Sequence, residues 1–562
     1  MSGYILCVID DDRVENLQSI FRADETQTLP LSSGRTLLYV SNSGLLNAEG
    51  LFQGYAIDHT GESMIFGLAG PRSTPDPSRP LEGSYLVARV ESSAVRVSTD
   101  VFGFVPMMWT QGPNFVAASD SFLSLVTLRR VLGLSCSPDE VTIRGRMWLN
   151  SMSLQQLGTD TYCAEIKYVT PGTELRIDAD DCSVQLAPLD LVAHYSGSFA
   201  SHEEAVTESA SRMVRVMRTY AEAGGLISLG LSGGTDSRLC LAAGLAADVG
   251  DALHVASKNN GTPDYQVALD LSERFGFPLN RTDARLRGDV SPIDHAATWA
   301  GTSLGLYDAT YTPPAVSRRS VPYFSVGGQG AEISKGNFGW RPLSSINMPA
   351  EGQEQCRRAL RLIGADEDDR WGSEWHYLAF RNAIHGGRAG LSSEYISRPA
   401  AQVPLIGLSR SPLNDLPAPR KAGKSIILDT LIKLSPQLAT VPFDDHRKDV
   451  GDDYVGERLA KLGGQLDARA LSSYRREGTP RLGHGVIGTQ IDLARRAGFT
   501  GGLAPRDLMP SVSRSLAVFD GLVSPQVREA LESIDPMSTT RLGAASRPAG
   551  AMGKLVGIGV LA

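Results

Sequence analysis

Up to residue 190 the chain alternates apolar and polar positions in short runs, and Gly, Ser, Pro and Asp break the runs apart. A period of two bounded by turn residues predicts β-strands at 4–9, 36–40, 63–67, 84–90, 94–98, 115–118 and 172–177. One helix is predicted over 121–132, and the prolines at 71, 75, 77 and 80 forbid a regular element in the loop 70–80. From His202 the texture changes. Residues 203–223 keep a 3.6-residue period through Ala205, Val214, Met217 and Tyr220, and apolar strand-like runs (226–231, 252–257) then alternate with helical ones (238–247, 265–275). That alternation is what a parallel sheet with helical crossovers requires. Beyond residue 340 the pattern is mainly helical, at 354–363, 371–384, 424–434, 452–468, 486–497 and 525–533. A boundary is placed near 190–205, dividing the chain into units 1–195 and 196–540, and the small-residue stretch 541–562 is expected to be a flexible tail.

Length supports more than one domain, because 562 residues exceed what one hydrophobic core holds. The 62 acidic side chains outnumber the 54 basic ones for a net charge of -8, which argues against a nucleic-acid partner. No apolar run approaches the ~20 residues that cross a bilayer, and the start of the chain turns acidic without a basic leader. A cytoplasmic protein with no membrane partner is expected. The 6 cysteines form no C-x-x-C pair and the 9 histidines no H-E-x-x-H, so neither a disulfide framework nor a zinc site is signalled.

The strongest chemical signal is the run from Leu226 to Arg238, a strand that stops at Leu231, Ser232, Gly233 and Gly234 and passes through Thr235, Asp236 and Ser237 into a helix. Two glycines let backbone N–H groups approach an anion, Ser232 and Ser237 add hydroxyls, and the helix points its positive end at the same place. Such a cradle suits pyrophosphate. Asp236 is out of place in an anion nest unless a cation stands between it and the phosphates, so Mg²⁺ is inferred there. The lysine of a G-x-x-x-x-G-K-[ST] loop is missing.

The S-G-G-x-D-S run resembles the PP-loop of ATP pyrophosphatases, and further segments are similar to the asparagine synthetase family. Gly328, Gln329, Gly330, Ala331, Glu332 and the residues through Gly336, Asn337 and Phe338 resemble the family's G-E-G-A-D-E-L-F-G-G-Y, with Gly330 and Gly336 in register and Glu332 in the place of the second magnesium-holding acid. Pro263, Asp264 and Ala268 match its nucleoside-side segment. Asp100 through Pro106, the 115–119 strand, and 166–175 with Pro171 and Gly172 resemble pieces of its amino-terminal domain, so the likeness covers roughly residues 80–450. It implies a mixed α+β and α/β fold: a glutaminase-like sandwich of the N-terminal-nucleophile type, then a PP-loop α/β synthetase domain with a helical carboxy-terminal part.

The chain departs from the family at the position after the initiator Met, where glutamine-dependent members carry a catalytic Cys and this chain has Ser2. Cys7 lies inside a predicted strand and is read as a core thiol. The glutaminase-like domain is therefore expected not to hydrolyse glutamine, as in β-lactam synthetases and lasso-peptide cyclases. Gln329 stands where those relatives place a residue near the reacting amine, and it cannot take a proton at neutral pH. Lys448 is the candidate for stabilising developing charge, Lys424 the second candidate, and Arg238 is read as reaching a phosphate or facing solvent. The resemblance implies ATP and Mg²⁺ as cofactors, with Leu231, Ser232, Gly233, Gly234, Thr235, Asp236, Ser237, Gly328 and Gly330 binding the nucleotide and Asp236 and Glu332 the metal. The expected activity is AMP-forming ligation of a carboxylate to an amine on a small-molecule or peptide substrate. Ammonia-using asparagine synthesis and a non-catalytic nucleotide-binding role are the alternatives, and the oligomeric state is open.

Overall fold

A computed structural model describes residues 3–562 apart from 68–73, 151, 198, 284, 286–288, 291–293, 312–316, 319, 337–340, 388–394, 417–423, 483–486 and 545. Two sheets form the amino-terminal sandwich. One has six strands in the order Ile166–Val169, Met107–Gly112, Phe115–Ser119, Ile5–Asp10, Arg35–Val40 and Thr26–Pro30, all antiparallel. The other has eight, and its centre is Ala94–Thr99, Glu82–Val90, Gly50–Asp58 and Ser63–Phe66. Alternation along Ile5–Asp10 shows why the central strands read as continuous apolar runs. Leu6 and Val8 point into the sandwich with Leu86 and Val97, while Ile5, Cys7 and Ile9 point to the opposite face, into a core shared with helices. Cys7 is accordingly a core residue, as expected; Ser2 lies outside the described residues.

The strand Gly50–Asp58 escapes the sequence pattern because glycines and Gln53 interrupt it. Gly50 takes φ +131°, a conformation closed to other residues, and Gln53 is buried where its side-chain oxygen accepts from Tyr39 (2.5 Å) and Ser41 (3.0 Å). Burial of one paired amide replaces the missing alternation.

The expected tail is instead a helix, Arg547–Gly559, with Met552, Leu555, Val556 and Ile558 buried against Pro505–Phe519 and the helical side of the six-stranded sheet. Its fully buried Lys554 donates to Ser153 O and to Asp308 Oδ2 (3.0 Å), which also accepts from Arg146 (2.8 Å) and Tyr162 (3.0 Å). Burial brings the Lys554 ammonium down to about 8. Small residues made this stretch look like a tail; they let the helix pack closely. Nor do the two units separate cleanly at residue 195. Glu25 accepts from the first amides of the helix Gly488–Arg496 (Gly488 N 2.6 Å, Thr489 N 2.8 Å), and Arg475–Glu477 joins the eight-stranded sheet parallel to Ser63–Phe66. The expected helix 371–384 is an α-turn, Gly372–His376, continued by wider π-type turns.

The second unit is built on four parallel strands in the order Leu253–Ala256, Leu226–Gly230, Tyr323–Val326 and Tyr395–Ser397. The 21-residue helix His202–Glu222, capped by Ser201 on Glu204 N (3.0 Å), packs between this sheet and the eight-stranded one. Phe324 and Tyr395 are cross-strand partners with ring centres 5.0 Å apart, and Tyr220 stacks on Phe324 at 3.9 Å. Tyr55 and Phe66 close the cluster from the eight-stranded sheet. Beside it Glu82, buried, takes His59 (3.0 Å), Arg212 (3.3 Å) and Val403 N (3.0 Å). Burial works against the Glu82 carboxylate, but His59, Arg212 and the Val403 amide outweigh it and hold the group down at about 2.

Removing residues 541–562 uncovers Met552, Leu555, Val556 and Ile558, and at about 1.5–3 kcal/mol per buried side chain the loss is about 6–12 kcal/mol, the scale of a whole domain's stability. The shortened chain is expected to be insoluble or to melt far below the full chain; equal melting curves would show the helix to be dispensable. Glu82 has a folded value below its ordinary 4.5, so its stabilisation is complete above pH 4.5 and is lost as pH falls through about 2. In denaturant titrations the gap between wild type and Glu82→Gln is therefore expected to be widest above pH 4.5 and to close towards pH 2.

Candidate functional site

Strand order fixes where a site can form. The chain leaves Leu226–Gly230 through the helix Thr235–Ala246 towards one neighbour, Leu253–Ala256, and leaves Tyr323–Val326 towards the other edge, Tyr395–Ser397. Between strands whose connections diverge, a crevice opens at their carboxyl ends. The two loops that meet there are 231–234 and 327–330, the two motifs singled out in the sequence.

Gly328 shows how close they come. A Cβ on it would lie 2.5 Å from Asp236 Cβ and 2.9 Å from Ser237 N. Gly330, at φ +95°, turns the second loop into the short helix Glu332–Lys335. In the first loop Leu231 is buried and its N–H continues the ladder to Ala256 O (2.8 Å). Ser237 Oγ accepts from Ser232 N (3.1 Å) and shares a proton with Ser232 Oγ (2.9 Å), while Gly234 and Thr235 open the helix.

The amides of both loops hold carboxylates. Gly233 N donates to Asp264 Oδ1 (2.6 Å), and Gly330 N donates to Glu332 Oε2 (2.7 Å). Each of these two amides is thus paired with a carboxylate of the chain itself. Asp236 has the complementary arrangement, because Lys335 Nζ lies 2.8 and 2.6 Å from its two oxygens. Burial pushes the Asp236 carboxyl up, Lys335 pulls it back, and the Glu332 charge adds to the rise. No spacing in the sequence marks Lys335 as a partner of Asp236; its place there depends on the two loops meeting.

Lys448 is brought to this site. It lies within charge range of Asp236 and pairs with Asp444 (3.0 Å), whose N–H donates to Gly233 O (3.2 Å). Lys424 is not: it packs 4.3 Å above the Tyr454 ring, at the start of the helix Ile426–Leu434. Arg238 neither reaches a phosphate nor faces solvent, which corrects both expectations for it. It is fully buried, donates to Leu438 O (3.1 Å), Pro442 O (2.9 Å) and Gly233 O (3.4 Å), and lies 3.8 Å over the Phe443 ring. Burial lowers its guanidinium to about 10, against the pull of Asp449 and Asp444. Its helical position faces the 438–443 segment, so it clamps that segment and places Asp444 and Lys448 over Gly233. Gln329 borders the crevice, and its side-chain oxygen is buried with no hydrogen-bond donor among the described residues. Asn337 and Phe338 lie outside them.

The acid pair fits a cation on one observation, since an ammonium already sits on Asp236 and Glu332 supplies a second hard oxygen donor nearby. Elsewhere among the described residues His202, Asp415 and Asp429 could together hold a metal, but Arg458 fills that place, 2.6 Å from Asp429 and 2.9 Å from Asp415. No described helix is long and apolar enough to cross a membrane.

No family model matches the chain, and no curated protein matches it. Among solved structures it is similar to the allosteric regulatory enzyme of purine biosynthesis, at 8% identity and TM-score 0.20 over 65% of this chain and 88% of that one. It is also similar to the glutamine phosphoribosylpyrophosphate amidotransferase of B. subtilis complexed with ADP and GMP, at 8% and 0.18 over 65% and 89%.

The contact between loops gives a test. Gly328→Ala drives a methyl into Asp236 and is expected to cost about 1–3 kcal/mol of stability, whereas Gly230→Ala, with nothing within 4 Å of the added carbon, is expected to stay within about 0.5 kcal/mol. Equal unfolding midpoints for the two variants would mean that the loops do not meet as described.

Proposed function

We propose that the chain is an ATP-dependent, AMP-forming ligase that joins a carboxylate to an amine. The crevice supports this reading: a Ser-Gly-Gly turn whose Gly233 amide already binds a carboxylate oxygen faces a second loop bearing Glu332 across Asp236. Polyphosphate oxygens would take the place of Asp264 on Gly233 N, with Ser232 and Ser237 hydroxyls and the amino end of the helix Thr235–Ala246 around them. A carboxylate oxygen of the substrate bonds to the α-phosphorus while the bond to the bridging β-oxygen breaks, and pyrophosphate leaves with that oxygen. Donors fixed on the loop stabilise this departing charge without reorganising. The amine nitrogen then bonds to the acyl carbon, the carbon–oxygen bond to AMP breaks, and the nitrogen gives up a proton.

Mg²⁺, held by Asp236 and Glu332, would neutralise charge on the polyphosphate. Lys448, held by Asp444 at the mouth of the turn, would balance charge on the same oxygens. Gln329 can orient the amine but not deprotonate it. The buried Cys7, a core thiol, supports a first unit without glutamine hydrolysis, so in this reading the amine comes from the substrate or from ammonia.

ATP–pyrophosphate exchange across a panel of amino acids and other carboxylates tests this reading. Exchange is expected to depend on one carboxylate and to fall at least about a hundredfold in Asp236→Ala. Undiminished exchange in that variant would place the site elsewhere, and ATP binding without turnover of any carboxylate would favour a non-catalytic nucleotide-binding role. Glutamate release from glutamine by the purified protein would refute an inert first unit.

A further inference from the structure

Lys335 is a cation that the chain itself supplies to Asp236. Its ammonium contacts both carboxylate oxygens, at 2.8 and 2.6 Å. Its backbone lies in the helix Glu332–Lys335, a single turn between Gly330 at φ +95° and Gly336 at φ +75°. The four-carbon stem is not fixed, and the side chain is only half-buried. A divalent cation on Asp236 and this ammonium therefore compete for the same oxygens and repel each other, whereas an anion in the 232–237 nest would offer the ammonium another partner close by. Carboxylates are plentiful around the nest (Asp264, Glu332, Asp444), yet the ammonium is placed on Asp236.

We propose that Lys335 is the resident counter-ion of this site: it keeps Asp236 closed to divalent cations until an anionic polyphosphate in the nest draws the ammonium away and admits metal and anion together. Metal binding is then obligatorily coupled to polyphosphate binding. The proposal rests on reading the turn as a polyphosphate site, and it goes beyond that reading in assigning the order of binding to one side chain.

The probe is Mn²⁺, titrated by calorimetry and by paramagnetic resonance into the full chain without nucleotide, and again with inorganic pyrophosphate. Wild type alone is expected to take up no Mn²⁺ at this site. Lys335→Met is expected to bind one ion at least about tenfold more tightly than wild type, because an unpaired, half-buried carboxylate is left beside Glu332, and adding Asp236→Asn is expected to abolish the gain. Lys335→Arg, which keeps the cation on the carboxylate, is expected to exclude Mn²⁺ as wild type does. Should Lys335→Met not fold, Lys335→Gln replaces it. Pyrophosphate is expected to make wild type bind Mn²⁺, and Asp236→Asn to prevent this. Wild type and Lys335→Met binding Mn²⁺ equally, or neither binding it, overturns the counter-ion role. Pyrophosphate-dependent uptake that Asp236→Asn abolishes leaves the polyphosphate reading standing through that failure. No pyrophosphate uptake by any form overturns the polyphosphate reading and the proposal with it.

Discussion

A parallel strand pair whose connections diverge cannot satisfy the backbone groups at its carboxyl end from within the sheet. In this chain the pair is Leu226–Gly230 and Tyr323–Val326. The loops that leave it present N–H groups, at Gly233 and Gly330, to a crevice between them, and a helix begins beside the first. These donors need acceptors. Asp264 and Glu332 supply them, and beside them two further acids, Asp236 and Asp444, are paired with Lys335 and Lys448. The charge pattern of the site thus descends from one topological fact, and its parts come from four separate stretches of chain.

Position within that pattern is set by a buried guanidinium. Arg238 has more N–H groups than a helix can use, and the interior offers it the carbonyls of the 438–442 segment, the carbonyl of Gly233 and the face of Phe443. A buried cation is costly unless it is hydrogen-bonded on several sides. The arrangement meets that requirement and in doing so fixes Asp444 and Lys448 beside the turn. The likeness to other chains after the D-S pair says little about this residue; its burial says what it does.

The amino-terminal unit is joined to this site by packing. The Asp100 carboxylate accepts from Phe102 N and Phe104 N (3.0 Å each) and Val105 N (3.1 Å), bending the chain so that Phe102 O meets Asn382 (2.8 Å) in the second unit. The Tyr55, Phe66, Tyr220, Phe324 and Tyr395 rings and the Glu82 network complete the joint. With Cys7 turned into the core, the described part of the sandwich presents a wall for the parallel sheet to fold against.

Local physics made much of this legible in the sequence. Alternating runs marked the strands at Ile5–Asp10, Glu82–Val90, Ala94–Thr99 and Phe115–Ser119, because each has one or both faces against apolar layers. Glycine, serine and acid in one strand-to-helix turn marked the nest, because those groups are needed within a few residues of one another. The strand Gly50–Asp58 and the helix Arg547–Gly559 were hidden, since small residues weaken periodicity and only close packing explains them. The partners Asp236–Lys335, Gly233–Asp264 and Arg238 with 438–443 were decided by the tertiary structure alone. A sequence states which residues can carry charge or donate a hydrogen bond; which of them share a crevice follows from the order of strands in a sheet, and that order is a property of the folded chain.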